Sequence, residues 1–115
     1  MSKTVTPQEL KERVGPRKVV TIIDVRRKAD YDADREAVSG AEWRDPEKVD
    51  EWSKDLPADK EVVVYCVRGG TVSNQVVDRL LDKKINAHYI EGGITAWKES
   101  GGKTKKKQPR AAVQK

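Results

Sequence analysis

The 115-residue chain has one cysteine and one histidine. A lone cysteine excludes an intramolecular disulfide and a multi-cysteine zinc site, and it suits a reducing compartment where a thiol can serve as a reagent. With no second histidine to join it, His88 is read as structural rather than as a metal ligand or a catalytic base. Long apolar runs are missing as well. No window approaches the roughly 20 apolar residues of a membrane span. The opening "MSKTVTPQELKERVG" also lacks the apolar stretch of a secretory signal. These absences lead to the expectation of a soluble, cytoplasmic protein.

Acidic side chains are absent from one end of the chain. The formal charge of +5 comes from 24 basic and 19 acidic residues, but six of the basic ones lie in residues 103–115, which contain no acid. Residues 1–102 are left with a net charge of −1. The segment "KTKKKQPRAAVQK" has like charge and no apolar periodicity, so it is read as a flexible, disordered basic tail following a single domain over residues 1–102. It offers no aromatic ring for base stacking and no apolar face for insertion. Neither nucleic acid nor a membrane is therefore an expected partner.

Against these absences stand concentrated apolar runs separated by helix signals. "TPQELKERVG" places Thr6 at an N-cap, Pro7 at the first helical position and Glu9 at the third, which predicts a helix over 7–14 closed by Gly15. "KVVTIIDV" and "EVVVY" are β-branched without polar alternation, as buried strands are, and the second is expected at the centre of the sheet. A short helix is expected around "KADYDADRE" and a turn or weak strand at "AVSGAEW". "DPEKVDEWSKDLP" is read as a helix capped by Asp45 and stopped by Pro57. In "VSNQVVDRLLDKK" the spacing of Val72, Val76, Val77, Leu80 and Leu81 predicts an amphipathic helix. "NAHYIE" and "GITAWKES" give a last strand and helix. Strand and helix alternate, so the expected fold is α/β, a small open and mostly parallel sheet with helices on both faces.

The single thiol sits where such a fold binds ligands. In "EVVVYCVRGGTVSNQVV" a strand delivers Cys66 to a loop that opens a helix, beyond the carboxyl end of the sheet. The helix N-terminus and the neighbouring Arg68 favour thiolate over thiol, which makes Cys66 a candidate nucleophile. Gly69 and Gly70 are expected to let the loop curl with positive φ and bring backbone amides close to whatever Cys66 carries. The plainer alternative is one more small apolar residue buried at a strand end.

Three segments carry a resemblance over about residues 4–101: "IIDVR", "VVVYCVRGGTVS" and "YIEGGITAWKESG". In that order and spacing the chain resembles the single-domain rhodaneses, a family of sulfurtransferases. The resemblance implies a persulfide cycle in which Cys66 takes a sulfane sulfur from thiosulfate or a related donor and hands it to cyanide, a thiol or a protein thiol. No metal or other cofactor is implied. It further implies that the amides of Val67, Arg68, Gly69, Gly70 and Thr71 cradle the outer sulfur, and that Arg68 binds the anionic donor and stabilises departing sulfite. The same fold also suits a persulfide carrier with little turnover.

Phosphatases and arsenate reductases of similar appearance have an arginine six residues after the cysteine. Here that position is Val72, which provides no planar fork for a dianion. Thr71 and Ser73 are each suited either to hydrogen-bond the persulfide or to cap the following helix. Asp24 and Arg26 match the family's Asp-x-Arg, a brace for the active loop, and read equally well as an ordinary ion pair. Trp97 is expected to pack, and Trp43 and Trp52 to lie in the core or at its rim. Where the family reads close to "GHIPGA", this chain has "EAVSGA" over residues 36–41, with Ala37 and Ser39 in place of the histidine and proline.

Overall fold

The two β-branched runs form adjacent strands, and between them they set the frame of the molecule. In the computed structural model, which describes residues 4–13, 20–56, 61–68 and 70–106, Val20–Asp24 is β2 and Glu61–Tyr65 is β5. They pair in parallel from Val20 opposite Glu61 to Asp24 opposite Tyr65. With β1 (Thr4–Val5), β4 (Glu42–Trp43) and β6 (Ala87–Ile90) they make a five-stranded sheet in the order β1–β6–β5–β2–β4. Every neighbouring pair in it is parallel, and β5 is the central strand, as the sequence predicts.

Alternation along β5 explains why its run of apolar residues has no polar break. Val62 and Val64 face a core closed by Val76, Val77 and Leu80 of α4 (Thr71–Asp82), and Val63 and Tyr65 face a second core closed by Leu10 of α1 (Pro7–Arg13) and by Ile94 and Trp97 of α5 (Gly93–Glu99). Both faces are covered, so a polar side chain on either would be desolvated. Leu81 departs from its expectation. It lies at the edge of the apolar stripe of α4 and is 42% exposed.

Local signals place the helix starts. Thr6 and Glu9 form a reciprocal capping box, with the Glu9 N–H donating to Thr6 Oγ1 at 3.1 Å and the Thr6 N–H to Glu9 Oε1 at 2.8 Å. The predicted end of α1 at Val14 and Gly15 lies outside the described residues. Lys28–Ala33 forms α2. Asp45 does cap its segment, accepting from the Glu47 N–H at 2.9 Å. The predicted helix there is broken, however, into a 3-10 turn over Pro46–Lys48, one turn of α3 (Val49–Trp52) and another 3-10 turn over Ser53–Asp55. The Asp45 carbonyl is the reason: it accepts from both the Lys48 N–H and the Trp52 indole, at 3.0 and 2.7 Å, so the first turn tightens around it.

The expectation of a free tail from residue 103 is corrected for residues 103–106 alone. Thr104–Lys106 forms β7, which pairs antiparallel with β3 (Glu36–Val38) in a separate two-stranded sheet. The chain reverses at Gly101, in left-handed geometry (φ +82°), and Gly102 packs where a Cβ would fall 2.2 Å from the Trp97 ring. The Trp97 indole donates to the Lys103 carbonyl at 2.8 Å, the Ser39 N–H does so at 3.0 Å, and Lys106 stands opposite Glu36. These directed contacts outweigh the repulsion that the lysine run suggests. Residues 107–115 lie outside the described residues. Among the described residues no helix is long and apolar enough to cross a membrane.

Candidate active site

The chain leaves β5 at Tyr65 and enters α4 at Thr71, so Cys66 stands at the carboxyl end of the central strand and before the N-terminus of a twelve-residue helix. The partial positive charge of that helix end is aimed at the loop. Cys66 is 7% exposed. Its loop is gripped by backbone: the Val25 N–H donates to the Tyr65 carbonyl at 2.8 Å, the Ile94 N–H to the Cys66 carbonyl at 3.0 Å and the Thr95 N–H to the Val67 carbonyl at 3.1 Å. The last two require the start of α5 to lie almost on the loop. Gly93 permits it, with φ +63° and a position at which a Cβ would stand 2.4 Å from the Cys66 carbonyl oxygen. In the sequence Gly93 is only half of a Gly-Gly pair, and nothing local shows which backbone it must approach.

Asp24 and Arg26 are both 1% exposed and form a buried, bidentate pair, with Arg26 Nη2 2.6 Å from Asp24 Oδ2 and Nε 3.0 Å from Asp24 Oδ1. Arg26 also donates to Asp34 Oδ2 and to the Glu36 carbonyl, each at 3.0 Å. Burial alone would pull the guanidinium down, but hydrogen bonding to Asp24 and its charge hold it above its ordinary value, with Tyr65 and Asp34 adding to the effect. The pair reaches the loop through Tyr65, a residue that nothing in its local sequence singles out. The Tyr65 hydroxyl donates to Asp24 Oδ2 at 3.0 Å and accepts from the Val38 N–H at 3.0 Å. Burial first, then the Asp24 charge, push this phenol far up, so it remains a donor at any working pH. Asp24 and Arg26 thus touch the residue before Cys66, and among the described residues none of their hydrogen bonds goes to the loop itself.

The downstream half of the loop is open. Val67 is half-buried, while Arg68, Gly70 and Thr71 are exposed, and among the described residues Arg68 has no side-chain partner. Gly69 lies outside the described residues. The positive φ expected of Gly70 is not found: its φ is −96°, and a Cβ there would meet nothing within 4 Å. Neither Thr71 nor Ser73 caps α4. Gly70 occupies the cap position, where its carbonyl accepts from the Asn74 N–H at 3.1 Å. Ser73 is fully buried in the first helical turn, and among the described residues its hydroxyl has no hydrogen-bond partner. Val72 packs against the α4-side core rather than facing an anion.

Trp97 is buried, Trp52 is buried and half-buried Trp43 stacks on Tyr31 with ring centroids 5.3 Å apart. His88 Nε2 lies 3.2 Å from Glu61 Oε2, away from the loop. Among the described residues no three His, Cys, Asp or Glu side chains gather as a metal site would need. A cleft of about 550 Å³ is lined by Arg27, Val49, Val72, Gln75 and Arg79 among others. It adjoins the first turn of α4, but Cys66 does not line it.

Comparison with known proteins follows the same lines. A family model for the rhodanese-like domain matches residues 6–100. A solution structure of the rhodanese-like domain of an Anabaena protein is 28% identical, with a TM-score of 0.78 over 93% of this chain and 81% of that one. A rhodanese-like domain protein from Staphylococcus aureus is also 28% identical, with a TM-score of 0.71 over 83% and 90% of the two chains. A rhodanese-related protein from Thermoplasma volcanium, 24% identical, shares the fold with a TM-score of 0.76 over 90% and 97%. No curated protein matches the sequence.

Proposed function

The chain belongs to the rhodanese-like domain family, and from that membership we propose that it is a sulfurtransferase that carries sulfane sulfur as a Cys66 persulfide. The observation that carries the reading is the placement of the only thiol between the end of the central strand and the N-terminus of α4. Thiosulfate or a related anion is the donor. The Cys66 thiolate attacks its outer sulfur, the sulfur–sulfur bond of thiosulfate breaks, and sulfite leaves with the electron pair. Cyanide or a thiolate then attacks the outer sulfur of the persulfide. Thiocyanate or a new persulfide departs, and the Cys66 thiolate returns.

Each residue of the loop has a role in this cycle. The amides from Val67 to Thr71 and the helix end stabilise the persulfide anion. Exposed Arg68, with no competing partner among the described residues, meets the donor and the departing sulfite. The buried Ser73 hydroxyl, unpartnered on its own helix, is a further donor for the loop. Asp24, Arg26 and Tyr65 act through position, by fixing where β5 hands the chain to Cys66. A persulfide carrier loaded and emptied by a protein thiol is the second reading. The 7% exposure of Cys66 favours small reagents over so bulky a partner.

A steady-state thiosulfate:cyanide assay tests the proposal. Parallel double-reciprocal lines, the signature of a ping-pong cycle, are expected of the wild type and no turnover of Cys66→Ser. A stable persulfide without turnover would select the carrier, and turnover in Cys66→Ser would reject both.

A further inference from the structure

A second cavity lies apart from the thiol, under the small sheet that the basic segment completes. It has a volume of about 330 Å³ and is bounded by Tyr31, Trp43, Ala37, Ala41, Lys105 and Lys106, with the Asp24 carboxylate at its floor. That volume is enough for one small organic molecule. Tyr31 and Trp43 stack on each other, with the Arg26 guanidinium 5.4 Å from the Tyr31 ring centroid, and remain half-buried, so the edges of the stacked pair provide one aromatic wall. The cavity stays open because the two residues across from that wall, Ala37 and Ala41, end at Cβ.

The charges around the cavity are asymmetric. The Asp24 carboxylate is already occupied by Arg26 and by the Tyr65 hydroxyl, so the floor is neutralised from within. Lys105 and Lys106 stand on β7 at the opposite side. Lys105 donates to the Ala41 carbonyl at 2.7 Å, which fixes its ammonium group there with two N–H donors to spare, and Lys106 is exposed. A ligand that matches these walls has a flat apolar body for the rings and an anionic head for the lysines. Two ammonium groups disfavour a cation. The chain's own residues 107–115 are no match, since they are basic and contain no aromatic side chain.

We propose that this cavity is a binding site for a single-ring aromatic carboxylate or sulfonate, separate from the sulfur-transfer site. Its ring packs against the exposed edge of the stacked Tyr31–Trp43 pair, and its head group pairs with Lys105 and Lys106. The site exists only because residues 104–106 are folded as β7, so it brings the basic segment into a role that sulfur transfer does not use.

The test is a titration of the full chain with benzoate at constant ionic strength, followed by the Trp43 indole N–H and the amides of residues 37 and 104–106 in two-dimensional NMR. Acetate and benzylamine serve as the non-aromatic and cationic controls. Saturable shifts confined to those groups, with benzoate binding tighter than either control, are expected. Ala37→Leu, which fills the cavity, should weaken binding about tenfold, and Lys106→Gln about threefold. Benzylamine binding as tightly as benzoate, shifts that do not saturate, or unchanged affinity in a folded Ala37→Leu would overturn the proposal. Should Ala37→Leu fail to give a dispersed spectrum, unchanged affinity in Lys106→Gln decides against it.

Discussion

The two halves of the Cys66 loop are built on opposite principles. Upstream, Tyr65, Asp24 and Arg26 are almost fully buried, and their polar groups hydrogen-bond one another, the Glu36 carbonyl and the Val38 N–H. Downstream, Arg68, Gly70 and Thr71 face solvent, and Arg68 has no partner among the described residues. In the proposed cycle the first half would fix where the sulfur sits, and the second would meet the reagent. Mutations should separate the two: upstream changes should cost stability, downstream changes should cost chemistry.

The largest loss is expected from Arg26→Met, which leaves Asp24 buried without its counter-charge. Removing one partner of such a pair costs about 3–5 kcal/mol, to be read as a drop in the urea midpoint. If Arg26→Met unfolds like the wild type, the upstream half is not the anchor described here. Gly93→Ala comes next. It forces a side chain into left-handed geometry and against the Cys66 carbonyl, at a cost of about 1–3 kcal/mol, and it should lower turnover as well because it displaces the loop. Tyr65→Phe removes one hydroxyl but strands the Val38 N–H, so about 1–3 kcal/mol is again expected.

A smaller effect belongs to Asp34. Burial would raise its pKa, but the Glu36 N–H, together with Lys98 and Arg26, holds its carboxyl below the usual range. A depressed carboxyl contributes stability that is present above its unfolded-state pKa and is lost as the pH falls through the folded value. Asp34→Asn should flatten the acid side of a stability-against-pH curve by less than about 1 kcal/mol, because the group is partly exposed. Smallest in stability is Arg68→Ala, within about 0.5 kcal/mol of wild type. Its effect should appear in kcat/KM instead, falling about tenfold or more for thiosulfate and much less for mercaptopyruvate. Equal losses with both donors would refute the role of Arg68 as the anion contact.

Much of this contrast was legible in the sequence because it rests on local chemistry. The capping box of Thr6 and Glu9, the all-apolar central strand and the thiol at its end are each encoded within a few consecutive residues. What was not legible depends on partners far along the chain. Tyr65 reads as one more strand aromatic until Val38 and Asp24 are brought to its hydroxyl. Gly93 reads as a turn glycine until the loop of residues 66 and 67 lies against it. The lysine run of β7 reads as solvated because charge is visible in sequence, whereas the Trp97 and Ser39 donors that pin Lys103 are not. The broken helix after Asp45 has the same origin, an indole from seven residues away using a helical carbonyl.

The most direct measurement is intact-protein mass spectrometry after brief exposure to thiosulfate and removal of excess reagent. One added sulfur atom, located on the peptide containing Cys66, released as an equal amount of thiocyanate on adding cyanide and absent from Cys66→Ser, is the predicted result. A wild-type protein that gains no sulfur, or a Cys66→Ser variant that gains as much, would contradict the account.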